Sequence, residues 1–133
     1  MNHNHDADDV LMYKNYGCLV VPLDAELRDH TLARTKDEVL AKVQETRVKG
    51  VIVDFSAVSV IDSYAGELLN DTARAVSLLG ATVVISGIKP GTAASLVDLD
   101  LYFDGITKVP ALEEALRILR PAAANQGETS HET

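Results

Sequence analysis

The chain has 133 residues, 47% of them hydrophobic and 24% charged; that length and balance describe one globular domain whose core needs no metal or disulfide staple. A single cysteine, Cys18, excludes an internal disulfide and points to an intracellular protein. No basic-then-apolar leader opens the sequence and no apolar run approaches the ~20 residues that cross a bilayer, so a cytoplasmic location without a membrane partner is expected.

The formal net charge of −8 is unevenly placed: residues 1–9 carry −3 and residues 121–133 carry −2. Both ends are polar and lack an apolar period, which predicts a flexible acidic tail at 1–9, a domain at 10–120 and a flexible polar tail at 121–133. No basic cluster could track a phosphate backbone, and two Phe, four Tyr and no Trp offer little for base stacking. Nucleic-acid binding is disfavoured and a protein partner is expected.

In chain order, VLMYKNYGCLVVPL reads as a hairpin, about Val10–Lys14 and Gly17–Pro22, turning at Asn15-Tyr16-Gly17. Leu32, Val39, Leu40 and Val43 recur at helical spacing in the next segment, with Gly50 as the expected stop. Val51–Val53 with Phe55 reads as a short strand buried on both faces. A second helix is expected from Ser63 to Leu79, with Ala65, Leu68, Leu69, Ala73, Val76 and Leu79 as its apolar stripe and Gly80 ending it. ATVVISGIKP supplies another strand, Pro90-Gly91-Thr92 opens a short helix through Leu99, GITKVP gives a last strand and ALEEALRILR a last helix. Strands alternating with helices require parallel pairs and right-handed crossovers, whereas the hairpin is antiparallel. The prediction is a small α/β domain with a mixed, largely parallel sheet and about four helices.

Few residues support catalysis. Of the four histidines, His3, His5 and His131 lie in the tails and only His30 is internal. Met1-Asn2-His3 could chelate Cu(II) or Ni(II), but so can many polar N-termini, and Cys18 reads as a small core residue with no second thiolate. No glycine-flanked nucleophile elbow surrounds Ser56, Ser59 or Ser63. Asp54 and Asp62 could serve as acid and base, yet aspartates at strand ends more often cap helices or brace loops. GIKPGTAASL opens a helix but lacks both the Walker and the dinucleotide spacing, so it reads as a tight turn.

IDSYAG remains. With Ala65, Leu68, Leu69, Ala73 and Val76 inward, positions 63, 67, 70, 71 and 74 face outward, which places Ser63 in the first turn above Glu67, Asn70 and Arg74. The plain reading is an N-cap by Asp62 or Ser63, worth ~1 kcal/mol. A phosphate on Ser63 would meet free N–H groups and the positive dipole end, worth ~0.3–1 kcal/mol. It would also set a charge of about −1.5 to −2 beside Asp62 and Glu67. Within the domain these effects roughly offset; at a docked interface they do not.

The element order, GVIVDFSAV, the IDS at the following helix start and VVISGIKPGTAASL resemble the STAS domain, the anti-sigma-factor antagonist fold, over about residues 8–120. ELRDHTLARTKDEVLAKV and GVIVDFSAVSVIDSYAGELL are most similar to the small single-domain stressosome scaffold type within that family. The resemblance implies a non-enzymatic scaffold with no cofactor. It would sequester a serine/threonine switch kinase together with paralogous STAS proteins, in a homo- and hetero-oligomeric cytoplasmic assembly, and release the kinase on phosphorylation. Ser63 matches the acceptor, Asp62 the aspartate before it, and Asp54 the aspartate ending the preceding strand. Asp54 and Asp62 would orient the loop, and Tyr64, Glu67, Asn70, Asp71 and Arg74 would line the contact. Thr31 is a possible counterpart of a second acceptor in larger paralogues. Simple antagonists often follow the acceptor with serine and glycine, whereas this chain reads Ser63-Tyr64-Ala65-Gly66, which favours the scaffold type. The alternatives are a simple antagonist binding an anti-sigma kinase, or a small nucleotide-binding protein on the same fold.

Overall fold

The computed structural model describes residues 12–15 and 17–120. The tails expected at 1–9 and 121–133, and the first residues of the hairpin, lie outside the described residues. Five strands form one sheet in the order β1-β2-β3-β4-β5: Tyr13–Asn15, Cys18–Pro22, Gly50–Asp54, Thr82–Ser86 and Thr107–Val109. β1 runs antiparallel to β2, and the other neighbours are parallel. The helices are α1 (Asp29–Thr46), α2 (Ser63–Leu78), α3 (Pro90–Asp98) and α4 (112–120). The mixed, largely parallel sheet with four helices is as the sequence predicts.

Strand alternation divides the core in two. Leu19 and Val21 of β2, Val51 of β3, and Val83 and Ile85 of β4 point into a large cluster shared with α1, α2 and Leu96 of α3. Cys18, Val20, Ile52 and Val84 point the other way, onto Ala115 and Leu119 of α4. Parallel strands laid down in sequence order with right-handed crossovers put all their connecting helices on one face. The opposite face therefore needs a cover from outside the crossovers, and α4 supplies it.

Two helix boundaries differ from expectation. α1 stops at Thr46, with Arg47 as its left-handed C-cap (φ 57°) donating its N–H to Val43 O. Gly50 is not the stop but the first residue of β3, where a Cβ would lie 2.8 Å from Leu119 Cδ1. α2 ends at Leu78, and Leu79 is its C-cap, exposed rather than part of the apolar stripe. Gly80, at φ 96°, then turns the chain toward β4.

Candidate functional site

The predicted site residues lie at the carboxyl end of β3 and at the start and along the length of α2, but not all on one surface. Asp62 is the N-cap of α2: its backbone is extended and its Oδ1 accepts from the N–H of Ala65 at 2.9 Å. Ser63 follows as the first helical residue and is exposed. No hydrogen bond among the described residues holds its hydroxyl. The cap is thus filled by Asp62, and the serine beside it is left outward.

Helical phase explains the rest of α2. Ala65, Leu69, Thr72, Ala73 and Val76 are buried, while Glu67, Asp71 and Arg74 are exposed and Asn70 is half-buried. Tyr64 is 46% exposed, and Val60, in the loop before the helix, is 72% exposed. Val60 is a large apolar side chain, three residues before the serine, that the periodicity argument passed over. It lies in a loop, where no period reports on its direction.

Gly66 has a specific reason to be glycine. A Cβ there would lie 2.6 Å from Leu101 Cδ1 and 3.6 Å from Leu99 Cδ1. The residues after α3 therefore press directly on α2, one turn beyond Ser63.

Asp54 stands apart. It ends β3 in register with Ser86 of β4, and alternation turns both toward the α4 side of the sheet. Its Oδ1 accepts from Ser86 Oγ at 2.7 Å and from Ser56 Oγ at 2.9 Å. Gly87 passes close by at φ 76°; a Cβ there would meet Ser56 Oγ and lie 3.1 Å from Asp54 Oδ1. Asp54 thus ties β3, β4 and the start of the 55–62 loop together, away from the exposed side of α2.

The far end of that loop is held by α3. Thr92, fully buried, donates its hydroxyl to Val58 O (2.9 Å) and Ser59 O (3.1 Å). Lys89 Nζ reaches Ser59 Oγ at 3.4 Å. Sequence inspection did not single out Thr92, because its partners lie more than thirty residues earlier.

Thr31 occupies the first turn of α1, half-buried, with its carbonyl accepting from Thr35 Oγ1 at 2.8 Å. It borders a shallow cleft with Asp24, Ala25, Glu26 and Arg28, remote in sequence from Ser63. Among the described residues no group of three or more His, Cys, Asp or Glu side chains could hold a metal. None of the described helices is long and apolar enough to cross a membrane. His30 is exposed at the start of α1.

A largely parallel sheet closed by a hairpin at one edge, with an aspartate-capped serine opening the second helix, defines a class. The chain belongs to the STAS domain family, whose model matches residues 9–115. Among solved structures it is similar to a serine-to-glutamate variant of RsbS from Moorella thermoacetica (30% identity, TM-score 0.77, covering 86% of this chain and 97% of that one). It is similar also to a chain of the stressosome, described as a signal integration and transduction hub (30% identity, TM-score 0.76, 85% of this chain and 98% of that one). A curated relative is the RsbT co-antagonist protein RsbRD of Bacillus subtilis (strain 168), 27% identical over 100 residues, which are 75% of this chain and 36% of that protein. The chain thus spans about a third of the length of the RsbT co-antagonist proteins it matches.

Proposed function

We propose that this protein is a non-enzymatic stressosome scaffold. It sequesters a serine/threonine switch kinase together with paralogous STAS proteins, and releases the kinase when Ser63 is phosphorylated. The observation that carries this reading is the division of labour at the start of α2. Asp62 satisfies the cap, so the exposed Ser63 hydroxyl is not needed to hold the helix. A phosphate there leaves the fold intact, because favourable contact with the first-turn N–H groups offsets repulsion from Asp62 and Glu67. At a fitted contact the same hydrated charge has no such compensation.

In this reading Ser63 is a substrate rather than a nucleophile. Asp62 and Asp54 hold the loop, and Tyr64, Glu67, Asn70, Asp71 and Arg74 form the contact surface. The chain needs no cofactor, since ATP and Mg²⁺ belong to the kinase. Similarity to RsbS and to a stressosome chain over most of both partners' lengths supports the scaffold type, and the names of the curated relatives support the same signalling context.

Phosphopeptide mass spectrometry after incubation with candidate kinases and ATP tests the assignment. Phosphate is expected on Ser63; its appearance only on Ser56 or Ser59, with an active kinase, refutes it. Ser63→Ala should stay folded and retain the kinase, whereas Ser63→Asp weakens retention. Equal binding by wild type and both variants would sink the switch. Light scattering of mixtures with paralogous STAS proteins should show a large assembly; a particle that stays small favours a simple antagonist instead.

A further inference from the structure

The 55–62 loop, which leads into Ser63, belongs to no helix or strand, so no ladder of backbone hydrogen bonds fixes its course. Its start is tied down. Phe55 N–H donates to Ser86 O and Val58 N–H to Phe55 O, both at 2.8 Å, and Ser56 Oγ donates to Asp54 Oδ1. Its end is the cap, where Asp62 Oδ1 accepts from the N–H of Ala65. Between these ties, the carbonyls of Val58 and Ser59 meet the hydroxyl of Thr92 at 2.9 and 3.1 Å.

Other helix threonines of this chain use their hydroxyls differently. Thr35, Thr46 and Thr72 each donate to a carbonyl four residues earlier in the same helix. Thr92 instead reaches more than thirty residues back, to a separate segment, and is fully buried in doing so. The backbone of α3 comes close at the same place, since a Cβ on Gly91 would lie 3.6 Å from Ser59 O. Phe55, Val58 and Ile61 anchor the loop in the core, but apolar burial is non-directional. A hydroxyl shared between two successive carbonyls is directional and selects one orientation of the peptide between them. Only Val60 and Ile61 separate that peptide from the cap at Asp62.

We infer that Thr92 is a positioning residue for the phosphorylation of Ser63. By holding the carbonyls of Val58 and Ser59 it sets the course of the chain into α2, and the kinase reads the acceptor in that one arrangement. This inference rests on the scaffold reading and deepens it, adding a buried residue outside the contact surface that governs how the acceptor is presented. In the transfer, a bond forms between Ser63 Oγ and the γ-phosphorus of the kinase's ATP as the bond from that phosphorus to the bridging oxygen breaks. ADP leaves, and the hydroxyl proton passes to the kinase's base. Thr92 acts on this step through the loop alone. Small displacements of a reacting group from its in-line position cost rate steeply.

The experiment compares kcat/KM for Ser63 phosphorylation in the full chain for wild type, Thr92→Val, Thr92→Ala, Thr92→Ser and Leu119→Ala, each assayed below its thermal midpoint. Thr92→Val removes both hydrogen bonds at nearly constant shape. Thr92→Ala removes them while leaving room for water at the carbonyls, and it decides the matter if the valine variant does not fold. Leu119 packs on the other face of the sheet, away from the buried residues of the loop, so Leu119→Ala reports a loss of stability alone. The valine and alanine variants are expected to fall about tenfold, Thr92→Ser to restore most of the rate, and Leu119→Ala to match wild type. Wild-type rates without the hydroxyl, a serine variant as slow as valine, or an equal fall in Leu119→Ala each overturn the inference, while phosphorylation of wild-type Ser63 leaves the scaffold reading standing. Absence of phosphate on Ser63 of the wild-type chain overturns both.

Discussion

Asp54 shows how one carboxylate can organise a site without facing it. Its Oδ1 receives the hydroxyls of Ser86 and Ser56, and Ser86 is fully buried. Asp54→Ala leaves that buried hydroxyl without its acceptor and frees the start of the 55–62 loop. The expected loss is about 1–3 kcal/mol, read from urea unfolding midpoints at unchanged slope. An unaltered midpoint would mean that water replaces the carboxylate at no cost. The sequence marked Asp54 as a candidate because it ends a strand before a polar loop. It could not supply Ser86, 32 residues away, because that partnership comes from parallel register and the shared side of the pleat. Val60 and Tyr102 escaped notice for a related reason: neither lies in a segment with a period, so only the folded chain shows them exposed.

At the scale of elements, α2 is the most legible part of the molecule. Its apolar positions predicted the buried set Ala65, Leu69, Ala73 and Val76, and the outward placement of Ser63, Glu67, Asp71 and Arg74 follows from the same 3.6-residue period. The helix start was readable too, although the sequence left the cap open between Asp62 and Ser63 and the structure assigns it to Asp62. Asp62→Ala should therefore destabilise the domain by ~1 kcal/mol, seen as a lower thermal midpoint, whereas Asp62→Asn should recover most of the loss. If Ala and Asn behave alike, the 2.9 Å bond to Ala65 N contributes little. Helix ends were less legible. Gly50 looked like a stop because glycine commonly ends helices, but its smallness serves the approach of Leu119 across the sheet. Arg47 took the left-handed position, which no local pattern announced.

At the scale of the whole molecule, α4 completes the core by covering the face that the crossovers leave bare. Leu119 and Ala115 close over Cys18, Val20, Ile52 and Val84. Burial pushes the Cys18 thiol above its ordinary pKa, so less thiolate is present at neutral pH. The native protein should react slowly with thiol reagents at pH 7 and fully when unfolded. Leu119→Ala should cost about 2–5 kcal/mol and speed Cys18 labelling; labelling as slow as in wild type would show that α4 is not the barrier.

The sequence by itself determined what depends on neighbours along the chain. Alternation and the helical period set the α/β class, the order of elements, the inward face of α2 and the position of Ser63 at a helix start. Tertiary structure decided what depends on residues far apart. Register joined Asp54 to Ser86, the core seated Thr92 on the carbonyls of Val58 and Ser59, and close packing required glycine at 50 and 66. It also turned Tyr102 outward beside α2 by burying Leu101 and Phe103 on either side of it. Local periodicity fixes which way a side chain leaves its own element, and only packing between elements fixes what it meets there.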